Sequence, residues 1–183
     1  MILIKDNFSN LYYLDKMFDY VANQGKDIDQ GTFFSYDEIK NCGDSFNSIT
    51  ELARILCKLV WIENNNFLIK DIEVDKFEIW NNCSDLGYHL DKDEDSPELK
   101  LPFHSSVLYI GPENISGGDL MINVNGPFSF FKNPDPTDFS GNEWIKVPFR
   151  RNRLVLFSST YPHLVTKTND LRISFAFNVW HKR

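Results

Sequence analysis

Long apolar runs are missing from this sequence. No stretch approaches the about 18 residues that a membrane-spanning helix needs, and the segment from Met1 to Asp6 has neither the basic start nor the apolar core of a secretory signal. Excess positive charge is missing too: 19 Lys and Arg stand against 26 Asp and Glu, a formal net charge of -7. That balance argues against a surface devoted to nucleic acid or anionic lipid, which needs clustered cations. A soluble, cytoplasmic chain with no nucleic-acid or membrane partner is therefore expected, its one basic cluster being Arg150, Arg151 and Arg153. Cysteine is scarce. Cys42, Cys57 and Cys83 are odd in number and widely spaced, which excludes a disulfide framework and a CxxC zinc site. No internal repeat or low-complexity tract is present.

What the chain has is apolar and aromatic mass: 42% apolar and 15% aromatic over 183 residues is enough for one substantial core, so one domain is expected. Leu11, Leu14, Met17, Phe18 and Val21 recur at helical spacing over residues 10–23, with Ser9 as N-cap and Gly25 as stop. Phe46, Ile49, Leu52, Ala53, Leu56, Leu59 and Val60 do the same over residues 45–60. From Trp61 onward the texture changes to short β-rich runs between Gly, Pro, Asn and Asp. Strands are predicted over 67–69, 76–81, 88–90, 105–110, 119–124, 144–147, 153–158, 163–168 and 172–180. Many short strands without interleaved helices imply a mainly β fold with N-terminal helices. We expect a double-stranded β-helix, of jelly-roll or cupin-like type, with the two helices packed outside one sheet. Residues 1–70 would be helical support and residues 71–183 the core. Residues 125–143 form a long connection carrying Phe128, Phe130, Phe131 and Phe139, and covering a pocket is one use for such a loop.

The chemistry concentrates in Gly87-Tyr88-His89-Leu90-Asp91. A strand sends residues i and i+2 to one face, so His89 and Asp91 aim at a common point. A further ligand must come from another strand, and among the four histidines His163 is favoured by its place after the apolar run Leu154-Val155-Leu156-Phe157 and a turn. If Asn169-Asp170 is a two-residue hairpin turn, His163 faces Ala176 and Lys167 faces Arg172, which puts His163, Arg172 and Ser174 on one side and Phe175, Phe177 and Val179 on the other. An inward Arg needs an anion, because an unpaired buried guanidinium costs several kcal/mol. Two His and a carboxylate with open positions suit Fe(II) better than a closed structural zinc site.

An ordered set of motifs runs through the second half: His89-Leu90-Asp91, Val107-Leu108-Tyr109-Ile110, Gly117-Gly118-Asp119-Leu120, Leu154-Val155-Leu156-Phe157, His163, then Arg172-Ile173-Ser174. Over residues 77–180 this order resembles the 2-oxoglutarate/Fe(II) oxygenase superfamily, in particular its prolyl 4-hydroxylase-like branch. The resemblance implies that His89, Asp91 and His163 hold iron, that Arg172 pairs with the distal carboxylate of 2-oxoglutarate, and that Tyr109 and, more weakly, Ser174 contribute to that subsite. It implies Fe(II), 2-oxoglutarate and O2, with ascorbate as an optional accessory. The activity implied is a dioxygenase that hydroxylates a peptidyl substrate, prolyl among them, or a free amino acid or small molecule. Asp91 favours hydroxylation over halogenation, since halogenating relatives lack that carboxylate. Where many relatives carry a Tyr on the strand before the HxD motif, this chain has Ile79-Trp80, and residues 1–70 carry no signature of the family.

Taken alone, HxD is a weak motif. The acidic run Asp91, Asp93, Glu94, Asp95 also reads as a cation-binding or solvated loop, but that leaves His163 and Arg172 unexplained. A cupin-like metal protein or isomerase without 2-oxoglutarate is the alternative, and it has no need of an inward Arg172. A metal-free jelly-roll interaction module is a third reading. His104 and His181 are set aside as ligands, and Trp80, Trp144 and Trp180 read as packing residues.

Overall fold

The structure is a computed structural model that describes residues 1–93 and 96–182. Glu94 and Asp95, half of the acidic run, lie outside the described residues. Among the described residues ten strands form two antiparallel sheets. The larger has the order β1 (Ile2–Asp6), β8 (Arg153–Ser158), β5 (His104–Gly111), β10 (Ile173–His181), β3 (Val74–Asn82), β2 (Phe33–Ser35). The smaller has the order β4 (Leu86–His89), β9 (His163–Val165), β6 (Leu120–Asn123), β7 (Trp144–Val147). This is the double-stranded β-helix expected from the sequence.

Four helices accompany the sheets. Helix α1 (Leu11–Phe18) starts at Asn10, whose side chain accepts the Tyr12 N–H, one residue later than the expected cap at Ser9, and runs on as a π-helical turn, Asp19–Asn23. Helix α2 (Tyr36–Lys40) carries a capping box between Ser35 and Glu38. Helix α3 (Ile49–Cys57) is capped by Ser48 and continues through Lys58–Glu63. The last, α4 (Pro127–Lys132), lies within the 125–143 connection. No helix among the described residues is long and apolar enough to cross a membrane.

Side-chain alternation on β10 sorts the molecule into two interiors. Ile173, Phe175, Phe177 and Val179 face the helices and pack with Leu14, Met17, Leu52, Leu56 and Val60. Each such fully buried side chain contributes roughly 1.5–3 kcal/mol. Arg172, Ser174, Ala176 and Asn178 face the other way, into the space between the sheets, where Tyr109, Leu120, Ile122, Val155 and Phe157 form a second cluster.

The differences from the sequence reading have local causes. Residues 66–68 form a single 3-10 turn rather than a strand, because Leu68 and Ile69 donate back to Asn65 and Asn66 with no partner strand alongside. The first 70 residues also supply two edge strands: β1 pairs with β8 and β2 with β3. The largest correction concerns residues 163–180, which are not a hairpin. β9 is three residues long and pairs with β4 and β6, whereas β10 pairs with β3 and β5 in the other sheet. The intervening segment is tied instead to the 116–119 turn: the Thr166 amide donates to the Asp119 carbonyl, the Asp119 amide to the Thr166 hydroxyl, and the Ser116 amide to Asp170. Asn169-Asp170 therefore sits in a crossover between sheets.

Candidate metal centre and cosubstrate pocket

The crossover changes how His163 and Arg172 meet. They share no sheet face; they point at the same space from opposite sheets. His163 is the direct cross-strand partner of His89, and their rings lie 4.3 Å apart between centroids. β4 ends at His89, and the chain just beyond it turns Asp91 inward so that one carboxylate oxygen, Oδ1, lies 3.6 Å from His89 Nε2 and 3.8 Å from His163 Nε2. One ligand atom from each of the three lies within 4.8 Å of the others, a spacing that a single ion can bridge.

The hydrogen bonds behind these atoms orient them. His89 Nδ1 lies 2.7 Å from the Gly87 carbonyl and His163 Nδ1 lies 3.1 Å from the Tyr161 carbonyl. A carbonyl only accepts, so each Nδ1 carries a proton and each ring turns its Nε2 edge toward Asp91. Burial, reinforced by the neighbouring His89, pushes His163 down to about 4, so it is neutral and available as a donor at physiological pH. Burial also acts against charge on His89, but the Asp91 carboxylate outweighs it and raises that imidazole. Asp91 is fully enclosed, yet the two histidines and the Ser105 hydroxyl, which donates to Oδ2 at 2.6 Å, hold its carboxyl well below the usual carboxylate range.

Arg172 is 1% exposed. Its Nε donates to the Gly118 carbonyl at 3.0 Å and its Nη1 to the Ser174 hydroxyl at 2.9 Å, while the guanidinium lies over the Tyr109 ring at 5.4 Å and the Phe149 ring at 5.8 Å. No carboxylate among the described residues forms an ion pair with it. The Tyr109 hydroxyl beside it is buried without a hydrogen-bond partner of good geometry, and burial pushes that phenol up to about 12, against the pull of Arg172. His89, Asp91, His163, Arg172 and Ser174 all line one cavity, closed on its apolar side by Leu120 and Val165.

Gly118 explains why the guanidinium can lie flat against the backbone. Its φ is +71°, and a Cβ there would approach Arg172 Cδ to 2.9 Å. Gly117, at φ +79°, lies so close to the Lys167 carbonyl that a Cβ would strike it. The Gly117-Gly118 turn thus lies directly against the Arg172 side chain.

Trp80, read as packing, lines the cavity wall, as does Asn82, two residues along the same face of β3. Ser105, which the sequence reading passed over, was visible as the next inward position before Val107 and Tyr109. The set-aside histidines are elsewhere: His104 stacks on Trp61 on the helix side, centroids 5.9 Å apart, and His181 lies against Phe103. The 125–143 connection does not line this cavity; its Phe130 and Phe139 pack with Tyr88 and Trp144 on the outer face of the small sheet.

The architecture places this chain among double-stranded β-helix proteins with two histidines and a carboxylate converging between the sheets. Within that class it is similar to solved prolyl hydroxylases. A Trichoplax adhaerens prolyl hydroxylase in complex with a hypoxia-inducible-factor peptide fragment matches with a TM-score of 0.61 and 18% identity over 98% of this chain and 83% of that one. A Pseudomonas putida prolyl-4-hydroxylase matches with a TM-score of 0.59 and 15% identity over 100% and 93%. HygX from Streptomyces hygroscopicus, with nickel, 2-oxoglutarate and hygromycin B bound, matches with a TM-score of 0.57 and 10% identity over 99% and 83%. These likenesses establish the fold. No family model and no curated protein matches the sequence.

Proposed function

We propose that this chain is an Fe(II)- and 2-oxoglutarate-dependent dioxygenase that hydroxylates a C–H bond of a peptidyl or small-molecule substrate. One observation carries the reading: two imidazole Nε2 atoms and a carboxylate oxygen converge on the wall of the same cavity into which a buried guanidinium, free of any carboxylate partner among the described residues, is turned. The donor set fits iron, since nitrogen and oxygen ligands on one side with open positions opposite suit Fe(II). His89, Asp91 and His163 would hold it. When bound, the iron supplies O2 activation coupled to oxidative decarboxylation of 2-oxoglutarate to succinate.

The remaining chemistry belongs to the chain. Arg172 binds the distal carboxylate of 2-oxoglutarate through the N–H groups not given to Gly118 and Ser174. Ser174 fixes the plane of the guanidinium, and the unpartnered Tyr109 hydroxyl donates to the same carboxylate. Ser105 keeps Asp91 charged and oriented, while Leu120 and Val165 exclude water from the pocket. The structural likeness to prolyl hydroxylases supports a peptidyl, prolyl-type substrate, and the likeness to HygX supports a small molecule.

Anaerobic addition of Fe(II) and 2-oxoglutarate to the purified chain should produce the visible absorption band of a chelated complex. The band persisting at unchanged affinities in a His89→Ala, His163→Ala double variant would overturn the ligand assignment. Substrate-stimulated succinate release, screened over peptides and amino acids with and without ascorbate, then identifies the substrate.

A further inference from the structure

We infer that the substrate carries a cationic group, an ammonium or guanidinium, which docks in a cleft between residues 27–30 and β3. The inference rests on the oxygenase reading and deepens it. A cleft of about 400 Å³ opens beside the metal centre, lined by Asp27, Asp29, Gln30, Trp80, Asn82 and His89. Trp80, Asn82 and His89 line the cosubstrate cavity as well, so the cleft and the cavity share a wall at the proposed ligand His89. Among the described residues no Lys or Arg lines the cleft. Lys26 and Lys76, close to this wall in sequence, lie over the Tyr20 ring at 5.0 Å and the Phe33 ring at 3.7 Å.

The wall that bears the two aspartates is built rather than draped. Asn81 Oδ1 accepts the Ile28 amide at 2.6 Å, Asn81 Nδ2 donates to Asp27 Oδ1 at 2.8 Å, and the Asn81 and Ile79 amides donate to the Ile28 and Thr32 carbonyls at 3.1 and 2.9 Å. Asp27 and Asp29 are exposed on that fixed wall, and Trp80, opposite, adds an aromatic surface that attracts cations.

Behind that wall the inward face of β3 is polar as well. Next to Trp80 on the same face of β3 stands Glu78, 7% exposed, accepting from Trp180 Nε1 and the Gly31 amide. Its cross-strand neighbour Asn178 is 1% exposed, and neither its amide nitrogen nor its amide oxygen has a partner among the described residues. Neither Glu78 nor Asn178 lines the cleft, so the charge that a ligand there would meet is that of Asp27 and Asp29. Along the inward face of β10 the charges are segregated. Arg172 stands at the cosubstrate end and Glu78 with Asn178 at the other, Ala176 lying between Ser174 and Asn178.

The test is calorimetric titration of the full chain, metal-free and loaded anaerobically with Fe(II) and 2-oxoglutarate. The probes are N-acetyl-Gly-Xaa-Gly amides with Xaa Lys, Arg, norleucine or Glu. Lys and Arg peptides should bind roughly tenfold more tightly than norleucine and Glu the weakest, with the preference eroding as salt rises from about 50 to about 500 mM. In an Asp27→Asn, Asp29→Asn variant the preference should vanish, norleucine affinity should be unchanged, and the chelate band should remain. Equal binding of all four, tighter binding of Glu, or a preference that survives the double substitution overturns the docking proposal. A cation preference in a chain that forms no chelate band would instead overturn the oxygenase reading and leave the cationic docking site standing.

Discussion

The two faces of β10 do opposite work from a single run of nine residues. Toward the helices it presents Ile173, Phe175, Phe177 and Val179, all fully buried in an apolar cluster. Toward the other sheet it presents Ser174, Ala176 and Asn178, with Arg172 just before, a row poor in hydrocarbon and rich in groups that cost free energy to bury. The contrast teaches where stability resides. The large sheet is held by what α1 and α3 cover on its outside, which lets the inside carry a guanidinium, an orphaned carboxamide and a buried acid. If the inner face serves ligands as proposed and the outer face serves folding, substitutions should separate the two.

The largest effect is expected at the ligands: a His89→Ala, His163→Ala variant should lose the Fe(II)–2-oxoglutarate band altogether, while the metal-free protein melts within a few degrees of wild type. A collapse of the melting temperature would show that the inner face also carries the fold. On the outer face, Phe177→Ala should lower the unfolding free energy by about 3–5 kcal/mol in urea denaturation, with 2-oxoglutarate affinity intact in the folded protein. Arg172→Ala should do the reverse. Losing a charge-assisted carboxylate contact of roughly 1.5–3 kcal/mol weakens 2-oxoglutarate binding by about one to two orders of magnitude, with Arg172→Lys in between and iron binding retained. A variant that melts early yet binds 2-oxoglutarate as wild type would make Arg172 a structural residue.

The smallest effect concerns Glu78, whose carboxyl is raised by burial from 4.5 to about 6. Its folded value lies above its unfolded one, so the native state holds the proton more tightly; the associated stability is fully present below pH 4.5 and lost as pH rises through about 6. Relative to Glu78→Gln, the wild type should lose on the order of 1 kcal/mol of unfolding free energy between about pH 4.5 and 7. Parallel urea curves for the two proteins at both pH values check the sign.

Much of this contrast was legible in the sequence. The alternation after Arg172 separates polar from apolar residues whatever strand lies alongside, so the assignment of Phe175, Phe177 and Val179 to the helix side held even though the hairpin used to argue it does not exist. Pairing was not legible: β9 and β10 have the pattern of a hairpin, and what sends them to different sheets is the attachment of Thr166 and Asp170 to the 116–119 turn, a contact between distant segments. The candidate ligands His89, Asp91 and His163 came from spacing and order. Ser105 was legible only as an inward position; Asn82 and the 27–32 wall were not, because their roles arise from what faces them across the fold. The edge strands β1 and β2 were missed for the same reason, being short segments whose strand character comes from β8 and β3.

Gly118 and Arg172 are bound by epistasis. A methyl at 118 collides with Arg172 Cδ while the arginine is present; once the residue at 172 is shortened, that clash is gone and the Ile115 Cδ1 methyl and the ~1–2 kcal/mol cost of a left-handed backbone remain. The order of substitution therefore matters. A lineage, or a designer, replacing both residues has to change Arg172 before Gly118, because the opposite order pushes the arginine from its seat first.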